Sequence, residues 1–255
     1  MSQMASTPRR ILLVTGGSRG IGAATVRLAA ARGYDVCVNY RADAAAAAHV
    51  VDDATRAGAR AVAVQADIAV EAEVVRLFAT CDERLGRLSA LVNNAAILET
   101  QMRLDAMDAM RIGRIFATNV TGAFLCAREA VRRMSARYGG RGGGIVNVSS
   151  GAARLGSPGE YIDYAATKGA LNTMTAGLAR EVAAEGVRVN AVLAGHIYTE
   201  LHASGGEPDR IERVKSQVPM NRGGQPGEIA QAILWLLSDE ASYTTGAFLD
   251  VAGGK

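Results

Sequence analysis

Tyr164 and Lys168 stand four residues apart in a segment whose composition predicts a helix, so their side chains share one face. A phenol titrates near pH 10 and exchanges protons poorly at neutral pH. An ammonium within about 4–6 Å favours the phenolate and lowers that value by roughly 1–3 units. Hydride transfer to a carbonyl creates an alkoxide, which needs a proton donor of this kind as it forms. The spacing alone is modestly specific. Lysine scarcity sharpens it, because of 28 basic residues only Lys168, Lys215 and Lys255 are lysines. A compact ammonium stands where this chain ordinarily uses arginine. Tyr161 lies nearly on the same face but has no lysine at that distance.

Upstream, Asn147-Val148-Ser149-Ser150 closes an apolar run that reads as a buried strand ending at the carboxyl edge, where open α/β sheets bind ligands. A serine there can hydrogen-bond a substrate carbonyl beside the tyrosine. Near the N-terminus, Thr15-Gly16-Gly17-Ser18-Arg19-Gly20-Ile21-Gly22 follows the first apolar run and opens a helix. Its glycines permit a tight turn, close approach of a pyrophosphate and close helix–sheet packing, with helix N-terminal amides facing the anion. The second strand ends at Asn39-Tyr40-Arg41 without the Asp or Glu that would hold a ribose 2′-hydroxyl. Arg41, with Arg19 in reach of the same place, suits a 2′-phosphate through forked, charge-assisted hydrogen bonds. Asp43 is near enough to compete for Arg41. NADP(H) is therefore expected in preference to NAD(H).

The elements that must position these groups are punctuated by glycine. Four times a helical pattern ends at Gly33, Gly58, Gly86 or Gly186, and an apolar β-branched run begins one to three residues later. Glycine past a helix end takes the left-handed conformation that closes the last turn. The spacing predicts strands at 11–14, 36–40, 61–64, 88–92, 145–148, 187–193 and 248–251, mostly buried on both faces. Helices are expected over 21–32, 43–57, 70–85, 103–138 (as two), 162–185 and 227–238. Alternation of this kind means right-handed βαβ units. The expected fold is α/β: a single-domain Rossmann fold, a doubly wound seven-stranded parallel sheet with helices on both faces. Residues 1–9 are expected to be a flexible N-terminus and 10–255 the domain.

With 255 residues, 49% of them apolar, the chain can bury one large core. No run is long enough to span a membrane, and the polar start is not a signal peptide. Cys37, Cys81 and Cys126 lack metal spacing and read as reduced thiols of a cytoplasmic protein. A net charge of +3 with dispersed basic residues points away from nucleic acid.

The chain resembles the short-chain dehydrogenase/reductase family from Arg10 to Gly254, its 3-oxoacyl-(acyl carrier protein) reductase and glucose 1-dehydrogenase-like members in particular. The residues carrying the resemblance are the Thr15–Gly22 loop, Asp67-Ile68, Asn93-Asn94-Ala95-Ala96, Asn119, Ser149-Ser150, Tyr164-x-x-x-Lys168 and Asn190–Gly195. It implies a catalytic set of Asn119, Ser150, Tyr164 and Lys168, with Asn119 holding a water of a proton relay through Lys168. Ser150 is preferred to Ser149 because the family's serine precedes the tyrosine by 13 residues and that count falls on Gly151. The resemblance places Gly16, Ser18, Arg19, Gly20, Ile21 and Gly22 against the pyrophosphate. Asp67 and Ile68 would flank adenine, and Asn93 and Ala95 would line the cofactor. Lys168 would also hold the nicotinamide ribose, with Gly195, Ile197 and Thr199 near the carboxamide. Two departures are Ala96 for a glycine and Ala194 for a proline, and the substrate loop, about 196–220, is expected to be more mobile for it.

His196 and His202 on that loop read as solvated, and Trp235 reads as core. In the resemblance the long helices and the last strand pair with other subunits, which implies a homotetramer. The implied activity is hydride transfer between NADP(H) and a small carbonyl or secondary alcohol, either a ketoacyl thioester or a sugar or polyol. The competing class is an NADP(H)-binding sensor without chemistry, which predicts loss of the catalytic set. A metal site is not expected.

Overall fold

The computed structural model describes residues 9–255; the expected flexible N-terminus lies, but for Arg9, outside the described residues. Seven parallel strands form one sheet in the order β3-β2-β1-β4-β5-β6-β7. They are β1 Ile11–Val14, β2 Asp35–Tyr40, β3 Ala61–Gln65, β4 Ala90–Asn93, β5 Gly143–Ser150, β6 Val187–Ala194 and β7 Phe248–Val251. The order reverses between β1 and β4, and the crevice outside their carboxyl ends is the switch point where such sheets bind ligands. Strands β1, β2 and β4 are buried almost throughout. The last strand differs from expectation. As an edge strand it has Phe248 and Asp250 exposed, so it is not buried on both faces.

Helices cover both faces: α1 Gly20–Ala31, α2 Ala44–Arg56, α3 Glu71–Leu85, α4 Ala109–Phe116, α5 Gly122–Met134, α6 Ala152–Leu155, α7 Ile162–Val182, α8 Leu201–Ser204, α9 Arg210–Val214 and α10 Pro226–Leu237. One apolar cluster, with Val26, Val36, Val92, Val192 and Ile233, fills the α1/α2/α10 side of the sheet. Another, with Leu13, Phe78, Leu91, Met134 and Ile145, fills the α3/α5/α7 side. Each fully buried aliphatic side chain contributes on the order of 1.5–3 kcal/mol. Gly33 closes α1 with a φ of 85°, the left-handed geometry that its position demanded.

Three departures bear on the site. The expected break in 103–138 is a π turn at Ala117–Thr121 joining α4 to α5 without a loop. The segment read as a mobile loop holds α8 and α9 instead, tied down by ion pairs of Arg210 and Arg213 with Glu160 and Glu207. Trp235 is not core: α10 turns Ile229, Ile233, Leu234 and Leu237 inward and leaves Trp235 38% exposed on its outer side. Among the described residues no helix is long and apolar enough to cross a membrane.

Candidate active site

Tyr164 lies in the first turn of α7, and its place is fixed from both neighbours. The buried Asp163 carboxylate accepts the Tyr164 N–H at 2.9 Å and is itself held by Arg111 Nε at 2.7 Å. One turn on, Lys168 reaches from α7 toward β5 and donates to the Val148 carbonyl at 2.7 Å. Its Nζ is 5.3 Å from the centre of the Tyr164 ring. Ser150, Tyr164 and Lys168 line one cavity at the carboxyl ends of β4, β5 and β6.

The two serines divide their work. Ser149 also borders the cavity, but it is 1% exposed and its hydroxyl is spent on Asn172 Oδ1 at 2.7 Å, between β5 and α7. Ser150 is the one beside the Tyr164 hydroxyl, its Oγ also accepting the Ala152 N–H at 3.1 Å. Strand alternation explains the division, since successive residues face opposite sides.

The expected lowering of the Tyr164 pKa is absent. Burial pushes the hydroxyl up to about 12, against the Ser150 hydrogen bond acting downward. The same desolvation lowers Lys168 to about 8. Taking the charged form of each group out of water outweighs their proximity here.

Asn119 sits in the π turn and lines neither cavity. Its Oδ1 accepts the Ile97 N–H at 2.8 Å and its Nδ2 donates to the Ile97 carbonyl at 3.0 Å. A further bond to Thr167 Oγ1, at 3.3 Å, links it to α7, because that hydroxyl donates to the Tyr164 carbonyl at 2.7 Å.

A second cavity adjoins the first, with Ile21, Asn94, Ala96, Thr199 and Leu201 lining both. Gly16, Ser18, Arg19 and Gly20 form one wall, Asn39, Tyr40 and Arg41 another, and Asp67, Ile68 and Ala95 close it. Gly16 and Gly20 have φ of 59° and 53°, values that a side chain would strain. Asn39 knits loop to strand, its Oδ1 accepting the Gly16 N–H at 3.2 Å. Asp43 does not compete for Arg41 but caps α2, accepting the Ala46 N–H at 2.9 Å. Gly195, Ile197 and Thr199 line the first cavity, on the Tyr164 side.

Two expected cofactor residues lie elsewhere. Gly22 lines no cavity; a Cβ there would collide with the Gly16 carbonyl and come 2.7 Å from Asn94 Nδ2, so its role is close packing. Asn93 is likewise interior, donating to Asn147 Oδ1 at 3.0 Å. The ligand-facing asparagine is Asn94, which also donates to the carbonyls of Thr15 and Gly16 at 2.9 and 3.0 Å. The signal was available: Asn93 still belongs to β4, and the next residue is the first beyond its carboxyl end. His196 and His202 are not solvated loop residues, since both line the first cavity. Burial lowers the pKa of both, His196 to about 4. Tyr161, Arg210 and Lys255 also line it, brought there by tertiary packing that no local spacing encodes.

A family model described as enoyl-(acyl carrier protein) reductase matches residues 16–255. The Escherichia coli (strain K12) protein named uncharacterized oxidoreductase YgfF is 61% identical over 245 residues, covering 96% of this chain and 99% of that protein. A crystal structure of 3-ketoacyl-(acyl-carrier-protein) reductase from Brucella melitensis complexed with NADH superposes with a TM-score of 0.89 at 31% identity, over 96% of this chain and 97% of its own. A mutant short-chain dehydrogenase/reductase from Serratia marcescens gives a TM-score of 0.88 at 33% identity, over 97% of this chain and 99% of its own. The chain is an oxidoreductase of the short-chain dehydrogenase/reductase family.

Proposed function

We propose that this protein is an NADP(H)-dependent carbonyl reductase or alcohol dehydrogenase in which Tyr164 is the general acid and base. The observation that carries this reading is the meeting of Ser150, Tyr164 and Lys168 in one cavity that adjoins the glycine-loop cavity. The residues fit a dinucleotide. Amides of the Gly16–Gly22 loop suit the pyrophosphate, Asp67 and Ile68 flank the adenine, and Lys168 holds the nicotinamide ribose. Arg19 and Arg41 suit a 2′-phosphate, favoured over NAD(H) because β2 ends without an acid; Asp43, which borders the same cavity, is the N-cap of α2 and makes no ion pair with Arg41. When bound, the nicotinamide supplies or takes up the hydride.

Tyr164 holds its proton at neutral pH, the state needed to protonate an alkoxide forming at the substrate carbon. Ser150 orients the substrate oxygen toward Tyr164 Oη. Lys168 places a positive charge beside the phenol, easing the proton's departure, and Asn119 fixes the helix beneath both. The buried thiols suit a reducing, cytoplasmic setting. Phe124, Met110, Phe248 and Tyr243 are exposed on α4/α5 and around β7, which supports a homotetramer built on those faces.

A panel of ketones and secondary alcohols run with NADPH and NADH separately tests the reading. Turnover of at least one carbonyl class, faster with NADPH, is expected. Tight NADPH binding without any turnover favours the sensor class instead.

A further inference from the structure

Beyond Tyr164 the first cavity is closed by side chains from four segments, and its charges are one-sided. No Asp or Glu lines it among the described residues, whereas Lys168, Arg210 and Lys255 do. Two of these cations are already engaged. Arg210 is paired with Glu160 and with Glu207, and Lys168, which donates to the Val148 carbonyl, stands beside Tyr164 in the reacting part of the site. Lys255 is different. Its Nζ lies 3.0 Å from His196 Nε2 and 3.3 Å from Gln217 Oε1, both neutral partners. Burial holds His196 neutral, with its pKa down at about 4, so Nε2 accepts from the ammonium and adds no compensating charge.

In the same cavity His202 Nδ1 is buried without a hydrogen-bond partner among the described residues. A buried polar atom is normally satisfied, and one that is not is completed by a ligand or a solvent molecule. The same cavity also carries the apolar side chains of Leu98, Leu155 and Leu201. In a chain that uses arginine for 25 of its 28 basic residues, one of only three lysines stands here.

We infer that the far wall is a carboxylate-binding subsite, and that the carbonyl substrate is an oxo acid whose acid group is held by Lys255 Nζ and His202 Nδ1. The aliphatic span of such a substrate lies along the leucines, and its reacting carbonyl meets Ser150 and Tyr164. The arriving carboxylate adds an anion to a cavity that no Asp or Glu lines, and it favours a proton on His202, which then donates. The inference rests on the reductase reading for the position of the carbonyl, but not for the existence of the subsite.

Calorimetric titration of the NADP-saturated enzyme with hexanoate and with hexanamide separates the two claims, because neither compound reacts. Hexanoate is expected to bind at least tenfold more tightly than hexanamide, with the ratio falling to within twofold in Lys255→Met and largely kept in Lys255→Arg. Equal affinities in the wild type, or a preference that survives Lys255→Met, overturn the subsite. Failure to turn over any ketone would count against the reductase reading alone.

Discussion

At the glycine-loop end of the cleft, the wall is a tight turn in which Gly16 and Gly20 take positive φ and Gly22 has no room for a Cβ, braced by Asn39 and Asn94. At the far end the wall is made of side chains, gathered from β6, α7, α8, α9 and the last residues of the chain. The first construction suits a ligand part shared by many enzymes, because amides and dipoles bind phosphate whatever the neighbouring sequence. The second can change one residue at a time and so suits a part that differs between them. Damage at one end should therefore look unlike damage at the other.

The largest effect on cofactor binding is expected from Gly22→Val. The new side chain meets the Gly16 carbonyl, and overpacking of about 1–3 kcal/mol lowers Tm by several degrees in thermal melts. NADPH affinity, followed by fluorescence, should fall roughly 100-fold because the loop is displaced. Arg41→Asp leaves the loop intact and removes one charge-assisted contact worth about 1.5–3 kcal/mol. NADPH preference over NADH in kcat/KM should drop by about 10- to 100-fold, and an unchanged preference would remove Arg41 from the 2′-phosphate site.

The pH dependence is smaller and belongs to the shared middle of the cleft. With Lys168 lowered to about 8 and Tyr164 raised to about 12, lysine deprotonation comes first. The kcat/KM for carbonyl reduction should fall about fourfold between pH 7 and 8.5. Stability should move the other way. The unfolded chain holds the Lys168 proton up to about pH 10.5 and the folded one only to about 8, so folding gains stability across that window. Lys168→Met should flatten both trends. The smallest effect is expected at the far end. Glu207→Gln weakens the ties of Arg210 and Arg213, costing less than about 1 kcal/mol. It should raise KM for the carbonyl substrate while leaving the NADPH Kd unchanged.

The same division explains how much could be read from the sequence. Helix stops such as Gly33, the apolar strands and the glycine loop are local instructions, and the sheet follows them to within a residue or two. The choice of Ser150 over Ser149 needed only a count along the chain. Asn93 was mistaken for Asn94 because one step at a strand end reverses which side a residue faces. His196 and His202 read as solvated, and Lys255 has no assigned place, because only tertiary packing brings the three to one cavity. Trp235 looked like core because an apolar helix with one aromatic does not reveal which face is free. The π turn that carries Asn119 leaves no mark in a helical periodicity.

Tyr164→Phe tests the central claim most directly, by measuring ketone reduction and NADPH affinity on the same preparation. Losing the proton donor while keeping the ring should lower kcat by about 10²- to 10⁴-fold with NADPH binding within a few-fold of wild type. Retention of full turnover by the phenylalanine variant would contradict it.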